Sequence, residues 1–177
     1  MHRCAYPYSY AYLIYENTYR NKDGFQLVKI TVATIQRHVG RSTDPAHSLL
    51  TEYLKRSSRY TPTSHRTFPT EVALLDFLDG AAQRTRPHLL LTDSTGQQVT
   101  STELATHITQ LFDSGQQTLV LAIGPADGWS AAGRQRADKT IAFGKITLPH
   151  ELAAVIAAEQ LYRALTIRAG HPYHSGH

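Results

Sequence analysis

Residues suited to chemistry gather at the end of the chain. His150 follows a Leu-Pro turn, and Tyr173 and His174 belong to the terminal sequence HPYH. Imidazole groups transfer protons and bind metals, and a phenol donates or accepts hydrogen bonds. A strand-like segment, a turn, a helix and this tail follow one another in a way that packing alone does not require. We therefore expect the chemistry here.

The spacing of the terminal histidines could indicate a metal site. His171, His174 and His177 recur at every third residue. Pro172 opposes a regular helix there, and no carboxylate or thiol lies nearby in sequence to complete a tetrahedral set of ligands. We predict that the protein holds no metal, with a zinc site in this tail as the alternative.

The strands that must position these residues are visible as apolar patterns. Residues 26–34 alternate apolar and polar side chains, which is the period of a strand. Residues 88–92 and 118–123 are compact apolar runs, typical of strands buried on both faces of a parallel sheet. A further strand is expected over residues 140–143.

Helix signals lie between these strands. Asp44-Pro45 reads as an N-cap followed by proline, Thr100 and Glu103 form a capping box, and Ser130 can cap a short helix. Helices are also expected over residues 71–79 and 150–167, and a loop over residues 57–70. The alternation predicts an α/β fold, a mostly parallel sheet flanked by helices.

The last predicted helix carries an acidic residue within an apolar stripe. Leu152, Val155, Ile156 and Tyr162 recur at helical spacing, and Glu159 lies among them. Arg163 stands four residues further on, in the favourable orientation for an ion pair. Two interpretations stay open: an ordinary surface pair, and a paired charge at a dimer interface.

Ligands of parallel α/β sheets bind outside the carboxyl ends of the strands. Three loops are therefore candidates for one site: residues 92–96, 124–128 and 143–148. The glycine pattern of a nicotinamide-binding domain is missing after the first strand, and the chain has no phosphate-binding P-loop sequence.

Composition predicts one domain. The 177 residues are 41% hydrophobic, with a formal net charge of +4, which favours an anionic partner. The single cysteine cannot form an intramolecular disulfide, and no apolar run is long enough for a signal peptide or a membrane span. We expect a cytoplasmic protein without a membrane association, a flexible tyrosine-rich extension over residues 1–24, and a single domain over residues 25–177.

Five sequence segments together resemble a known family. They are LAIG at 121–124, GWS at 128–130, ITLPH at 146–150, EQLYRA at 159–164 and HPYH at 171–174. In combination they are similar to the bacterial 23S ribosomal RNA (pseudouridine-N3)-methyltransferases of the RlmH type, which belong to the SPOUT class. The resemblance covers about residues 27–174.

This resemblance implies a C-terminal trefoil knot, a homodimer, S-adenosyl-L-methionine as methyl donor, and a pseudouridine in the RNA of the assembled ribosome as substrate. His150, Tyr173 and His174 would be the catalytic residues, each a candidate for base, orienter or hydrogen-bond donor. The cofactor contacts would be Thr92, Gly124, Phe143, Gly144, Lys145, Ile146, Thr147 and Leu148.

The chain departs from the family pattern at two places. Pro125-Ala-Asp replaces a glycine and a proline-glutamate pair after Gly124, and Ser175 stands where a basic residue usually follows HPYH. Two alternatives therefore stay open: a SPOUT paralogue that acts on another RNA, and a weakened, non-catalytic RNA-binding protein.

Overall fold

A five-stranded parallel sheet forms the centre of the protein. The structure is a computed structural model that describes residues 28–36, 44–80 and 85–174. The predicted extension over residues 1–24 lies outside this part. The strands are β1 (Lys29–Ile35), β2 (Thr63–Phe68), β3 (His88–Gln98), β4 (Thr118–Ile123) and β5 (Lys139–Ala142), in the order β2-β1-β4-β3-β5. The predicted α/β class is confirmed.

The helices begin where the sequence predicts them. They are α1 (Pro45–Ser57), α2 (Glu71–Asp79), α3 (Ser101–Asp113), α4 (Ala131–Arg136) and α5 (His150–Arg168), followed by a 3₁₀ turn, Pro172–His174. Asp44 caps α1 by accepting a hydrogen bond from the Ala46 amide, and the predicted capping box closes the first turn of α3. None of these helices combines the length and the apolarity that crossing a membrane requires.

The predicted loop over residues 57–70 is wrong, because β2 lies within it. This strand pairs with β1 at the edge of the sheet, and its exposed and half-buried residues alternate. Its inward polar groups find partners, since Thr34 on β1 contacts both His65 Nε2 (2.9 Å) and the Thr67 hydroxyl (3.3 Å). A polar edge strand has no apolar run that the sequence pattern could detect.

Strand β3 does not end at Thr92 as predicted but continues to Gln98. Thr92 and Gln97 both oppose Ile141 of β5, so residues 93–96 form an irregular excursion from the pairing. A Cβ on Gly96 would lie 2.6 Å from the carbonyl carbon of Ile141, so only glycine fits this close approach. The predicted loop is an interruption within a longer strand.

Helices cover both faces of the sheet, and α5 lies between α1 and α3 on one of them. Its fully buried side is mostly alanine (Ala154, Ala157, Ala158 and Ala164) together with Leu161 and Leu165. Within the predicted apolar stripe, Leu152 is 47% exposed and Val155 and Ile156 are half-buried. The buried side of α5 is therefore rotated away from Leu152, whereas Tyr162 is buried as expected. The trefoil knot stays a prediction.

Candidate functional site

The sheet places the three candidate loops side by side. Thr92 pairs with Ile123 of β4 and with Ile141 of β5, so the three residues stand at the same level across neighbouring strands. Gly124 follows Ile123, and Phe143 follows the end of β5. The expectation that these loops are neighbours is therefore confirmed, although β3 continues beyond Thr92.

Trp129 connects two of the predicted cofactor residues. Its buried indole donates a hydrogen bond from Nε1 to the Thr92 carbonyl at 2.9 Å. A Cβ on Gly124 would lie 2.7 Å from the same Nε1 atom. The indole therefore occupies the space that a side chain on Gly124 would take. Sequence reasoning missed Trp129 as a site residue, although the GWS segment contained the signal.

An ion pair braces the excursion of β3. Asp93, whose side chain is only 7% exposed, pairs with Arg134 of α4 at 3.1 Å and accepts hydrogen bonds from the Thr95 amide and hydroxyl. Burial by itself would raise the pKa of Asp93, but the Thr95 hydrogen bonds and the Arg134 charge outweigh it and lower this pKa below its usual 3.8. Arg134 also donates to the Trp129 carbonyl at 3.2 Å, so it ties this excursion to the indole.

A cavity of about 360 Å³ opens beside the end of β5. Of the predicted cofactor residues, only Phe143 and Gly144 line it; Lys145, Ile146 and Thr147 are exposed, and Leu148 is half-buried. The other residues that line the cavity were not predicted from the sequence as site residues; they are Gln98, Val99, Thr100, Ser101, Leu104, Ile141, Ala142, Ile156 and Gln160. These residues come together because β3 extends alongside β5, a pairing that no local pattern predicts.

The cavity suits a nucleoside-sized ligand. Its volume falls within the usual range of small-molecule sites, of roughly 300–1,000 Å³. Apolar walls such as Ile141 and Ile156 alternate with hydroxyl and amide groups such as Ser101 and Gln160. Gly144 has a φ of 121°, which a side chain would disfavour, so the turn into the predicted cofactor segment depends on glycine.

His150 opens helix α5 on the far side of the same segment. Its Nε2 atom is buried and has no hydrogen-bond partner in the described part of the chain. Burial, and then the neighbouring His47 and His150, lower the pKa of His65, so these three side chains lie within electrostatic range of one another. Buried polar atoms in folded proteins usually have a partner, so this nitrogen keeps His150 a candidate for a role in the reaction.

Tyr173 packs against the middle of α5. Its hydroxyl contacts Glu159 Oε1 at 3.3 Å, and its ring meets the Tyr162 ring edge-on at 4.7 Å between centroids. Burial, followed by hydrogen bonding with Tyr53 and the Glu159 charge, raises the pKa of Tyr173 to about 12. The phenol is therefore protonated at neutral pH, which disfavours it as a base.

The structure does not bring His150 and Tyr173 together within one chain. Glu159, which the Tyr173 hydroxyl contacts, lies about 14 Å beyond His150 along the helix, at about 1.5 Å per residue. His174 follows Tyr173 in the 3₁₀ turn. A single copy of the chain therefore holds His150 in the first turn of α5 and the Tyr173 hydroxyl near the middle of the same helix.

Within residues 28–36, 44–80 and 85–174, no cluster of three or more histidine, cysteine, aspartate or glutamate side chains could hold a metal ion. His177, one member of the alternative zinc site, lies outside the described residues.

The chain belongs to the SPOUT methyltransferases, since the family model described as "Predicted SPOUT methyltransferase" matches residues 28–174. A protein of Koribacter versatilis named "Ribosomal RNA large subunit methyltransferase H" is 48% identical over 140 residues, which cover 78% of this chain and 95% of that protein. A protein of the same name from Mesorhizobium japonicum is 50% identical over 86 residues, or 49% of this chain and 54% of that protein.

Among solved structures, the SpoU methyltransferase AviRb from Streptomyces viridochromogenes, in complex with the cofactor AdoMet, is similar with a TM-score of 0.46 and 16% identity. The match covers 81% of this chain and 59% of that one.

Substituting Gly124 should disturb Trp129. In Gly124→Val the new side chain must displace the indole, which we expect to lower the free energy of unfolding by about 1–3 kcal/mol and to abolish S-adenosylmethionine binding. Trp129 is the only tryptophan, so its fluorescence reports the displacement directly. Ala126→Val, at an exposed position in the same turn, is the control. Unchanged emission together with retained affinity would contradict the assignment of Gly124 to the site.

Removing the Asp93 charge should have a pH-dependent effect on stability. Because the folded-state pKa is lowered, the ionised carboxylate stabilises the fold above pH 3.8, and this contribution is lost as the pH falls through the folded-state value. Asp93→Asn should lower the free energy of unfolding by about 1 kcal/mol at neutral pH, and by less at about pH 3. Urea unfolding of this variant and of the control Asp127→Asn, an exposed carboxylate of the neighbouring loop, tests this. A deficit independent of pH would refute the role of the charge.

Proposed function

We propose that the protein transfers a methyl group from S-adenosyl-L-methionine to N3 of a pseudouridine in 23S ribosomal RNA of the assembled ribosome. The observation that carries this proposal is the near-complete match to a relative named for methylation of large-subunit ribosomal RNA, which extends over 95% of that relative. The net charge of +4 agrees with an RNA substrate. A protein that acts on ribosomes would work in the cytoplasm, and we propose this location.

The cavity beside β5 is the proposed cofactor site. Phe143 and Gly144 line it, and Ile141 and Ile156 provide apolar walls for a flat ring system. The β4 side of the site would be bounded by Thr92 and Gly124, which both contact Trp129. The ligand would be covered by Lys145, Ile146, Thr147 and Leu148. These six contacts rest on the family resemblance, since none of the six residues lines the cavity.

The proposed reaction needs little more than positioning and one proton transfer. When bound, S-adenosylmethionine supplies an electrophilic methyl group on a sulfonium. The N3–H group of the base must lose its proton, and the nitrogen must be held in line at about 3 Å from that methyl carbon. The unpartnered Nε2 of His150 is the best candidate for accepting the proton. Tyr173, protonated at neutral pH, would orient the base together with His174.

A homodimer would unite the two halves of this site. His150 and the Tyr173 hydroxyl are separated by about 14 Å along α5, so the tail of one protomer would complete the site at the cofactor segment of its partner. The exposed Leu152 and the half-buried Val155 and Ile156 offer an apolar surface for such a contact. Glu159 is paired with Arg163 within its own helix, whether or not a partner covers the pair.

One rival function is favoured by a specific feature, the proline that follows Gly124. Pro125 lacks an amide donor, and its carbonyl accepts the Gly128 amide at 2.9 Å to close a tight turn. A cofactor that needs an amide at this position would bind weakly, and the protein would then be a non-catalytic RNA-binding paralogue. A second rival is methylation of a different RNA by the same chemistry.

Two measurements separate these functions. Titration calorimetry should show binding of S-adenosylmethionine to the purified protein; no heat of binding at millimolar ligand would exclude the enzyme and favour the non-catalytic paralogue. Mass spectrometry of ribosomal RNA from a strain lacking the gene should show the loss of N3-methylpseudouridine. If that modification persists, the methyltransferase acts on another RNA.

Complementation between two inactive variants tests the shared site. His150→Ala and a chain truncated before His171 should each lose most of their activity, because each lacks one half of every site. Mixing and refolding the two should restore about a quarter of wild-type turnover, since half of the chains then form mixed dimers with one intact site each. Sedimentation checks that both variants dimerise. Mixed dimers without restored turnover would argue for sites built within one chain.

A further inference from the structure

Glu159 gathers more donors than an ordinary surface carboxylate. Its Oε1 atom accepts from Arg163 Nη2 at 2.7 Å and Nε at 3.0 Å, and it contacts the Tyr173 hydroxyl at 3.3 Å. Its Oε2 atom accepts from Gln160 Nε2 at 2.7 Å. The side chain is 17% exposed, so most of this network is shielded from water. Charge-assisted hydrogen bonds in such surroundings are stronger than those between neutral groups.

The network reaches the proposed cofactor cavity. Gln160 Oε1 accepts a hydrogen bond from the Ser101 hydroxyl at 2.7 Å, and both Ser101 and Gln160 line the cavity. An unbroken chain of four side chains therefore runs from the cavity wall through Glu159 to Tyr173. Neither Glu159 nor Tyr173 lines the cavity itself.

The tail is folded back onto this network by its own backbone. Gly170, just beyond the end of α5, has a φ of 66°, and the His171 amide donates to the Thr166 carbonyl at 2.9 Å. The Tyr173 ring then lies against Tyr162, with the Arg163 guanidinium 5.1 Å from its centroid. Packing alone would be satisfied by phenylalanine, so the contact between the hydroxyl and Glu159 requires a separate reason.

We propose that Glu159 is a positioning residue that orients the Tyr173 hydroxyl and, through Gln160 and Ser101, couples the placement of Tyr173 to ligand binding in the cavity. This inference rests on the proposed function, because it takes the cavity as the cofactor site and Tyr173 as a residue that holds the substrate base. A ligand that fixes Gln160 or Ser101 favours one arrangement of these four hydrogen-bonded side chains. By linkage, the docked tail raises the affinity of the cavity for the ligand.

Calorimetry on the full-length protein tests the coupling without any catalytic readout. We expect Tyr173→Phe and Ser101→Ala each to weaken S-adenosylmethionine binding about fivefold. The double variant should bind S-adenosylmethionine with the same affinity as the single variant that binds it less tightly, because both substitutions interrupt the same chain of contacts. Tyr60→Phe is the matched control, because it removes the hydroxyl group from another ring that packs on Tyr162. This variant should bind S-adenosylmethionine as the wild-type protein does.

Turnover distinguishes positioning from simple packing. Glu159→Gln keeps the size of the side chain and removes its charge, so we expect kcat to fall about tenfold with a smaller change in the KM for the ribosome, and Glu159→Ala to lower kcat further. Glu151→Gln, an exposed acid in the first turn of the same helix, should leave kcat unchanged.

The outcomes separate this inference from the proposed function. If the wild-type protein does not bind S-adenosylmethionine, both are overturned. If it binds, two outcomes overturn the coupling alone. One is wild-type affinity in Tyr173→Phe. The other is a strictly additive loss of binding free energy in the double variant, which would mean that the tail affects the ligand independently of Ser101. Wild-type kcat in Glu159→Gln would overturn the positioning role.

Discussion

Close packing of α5 against the sheet is the constraint on which the site depends. Ala154, Ala157, Ala158 and Ala164 are almost fully buried, and such small side chains let the helix lie near its neighbours α1 and α3. The helix is therefore fixed in position and rotation. Its first turn holds His150, its middle lines the cavity, and its end carries the tail, so its placement sets the geometry of all three.

The fixed helix also explains why one chain is an incomplete enzyme under the proposed function. The helix is a rigid rod of nineteen residues, and the contacts of Tyr173 with Glu159 and Tyr162 hold this side chain near its middle, away from His150 in the first turn. Symmetry offers a solution, because a second copy can bring its tail to the first copy's cofactor segment. The hydrogen-bond chain through Gln160 would then couple ligand binding in the cavity of each protomer to the placement of that protomer's own tail, which completes the site of its partner.

The opposite side of the site is held by a different kind of contact. Trp129 joins Thr92 to Gly124, and Arg134 joins Asp93 to the Trp129 carbonyl, so two loops from separate strands behave as one unit. Much of the glycine requirement at position 124 thus comes from the protein's own indole. A buried aromatic ring with a satisfied N–H group is well suited to this bracing.

The sequence by itself determined the features that depend on neighbours along the chain. Caps at Asp44, Thr100 and Ser130, the apolar runs of β3 and β4, and the Glu159–Arg163 pair were all predictable, because each signal lies within a few residues. Tertiary structure decided the rest: the polar edge strand β2, the extension of β3 beside β5, the indole over Gly124, and the separation of His150 from Tyr173. These follow from strand pairing and side-chain packing between distant segments, which leave no periodic trace in the sequence.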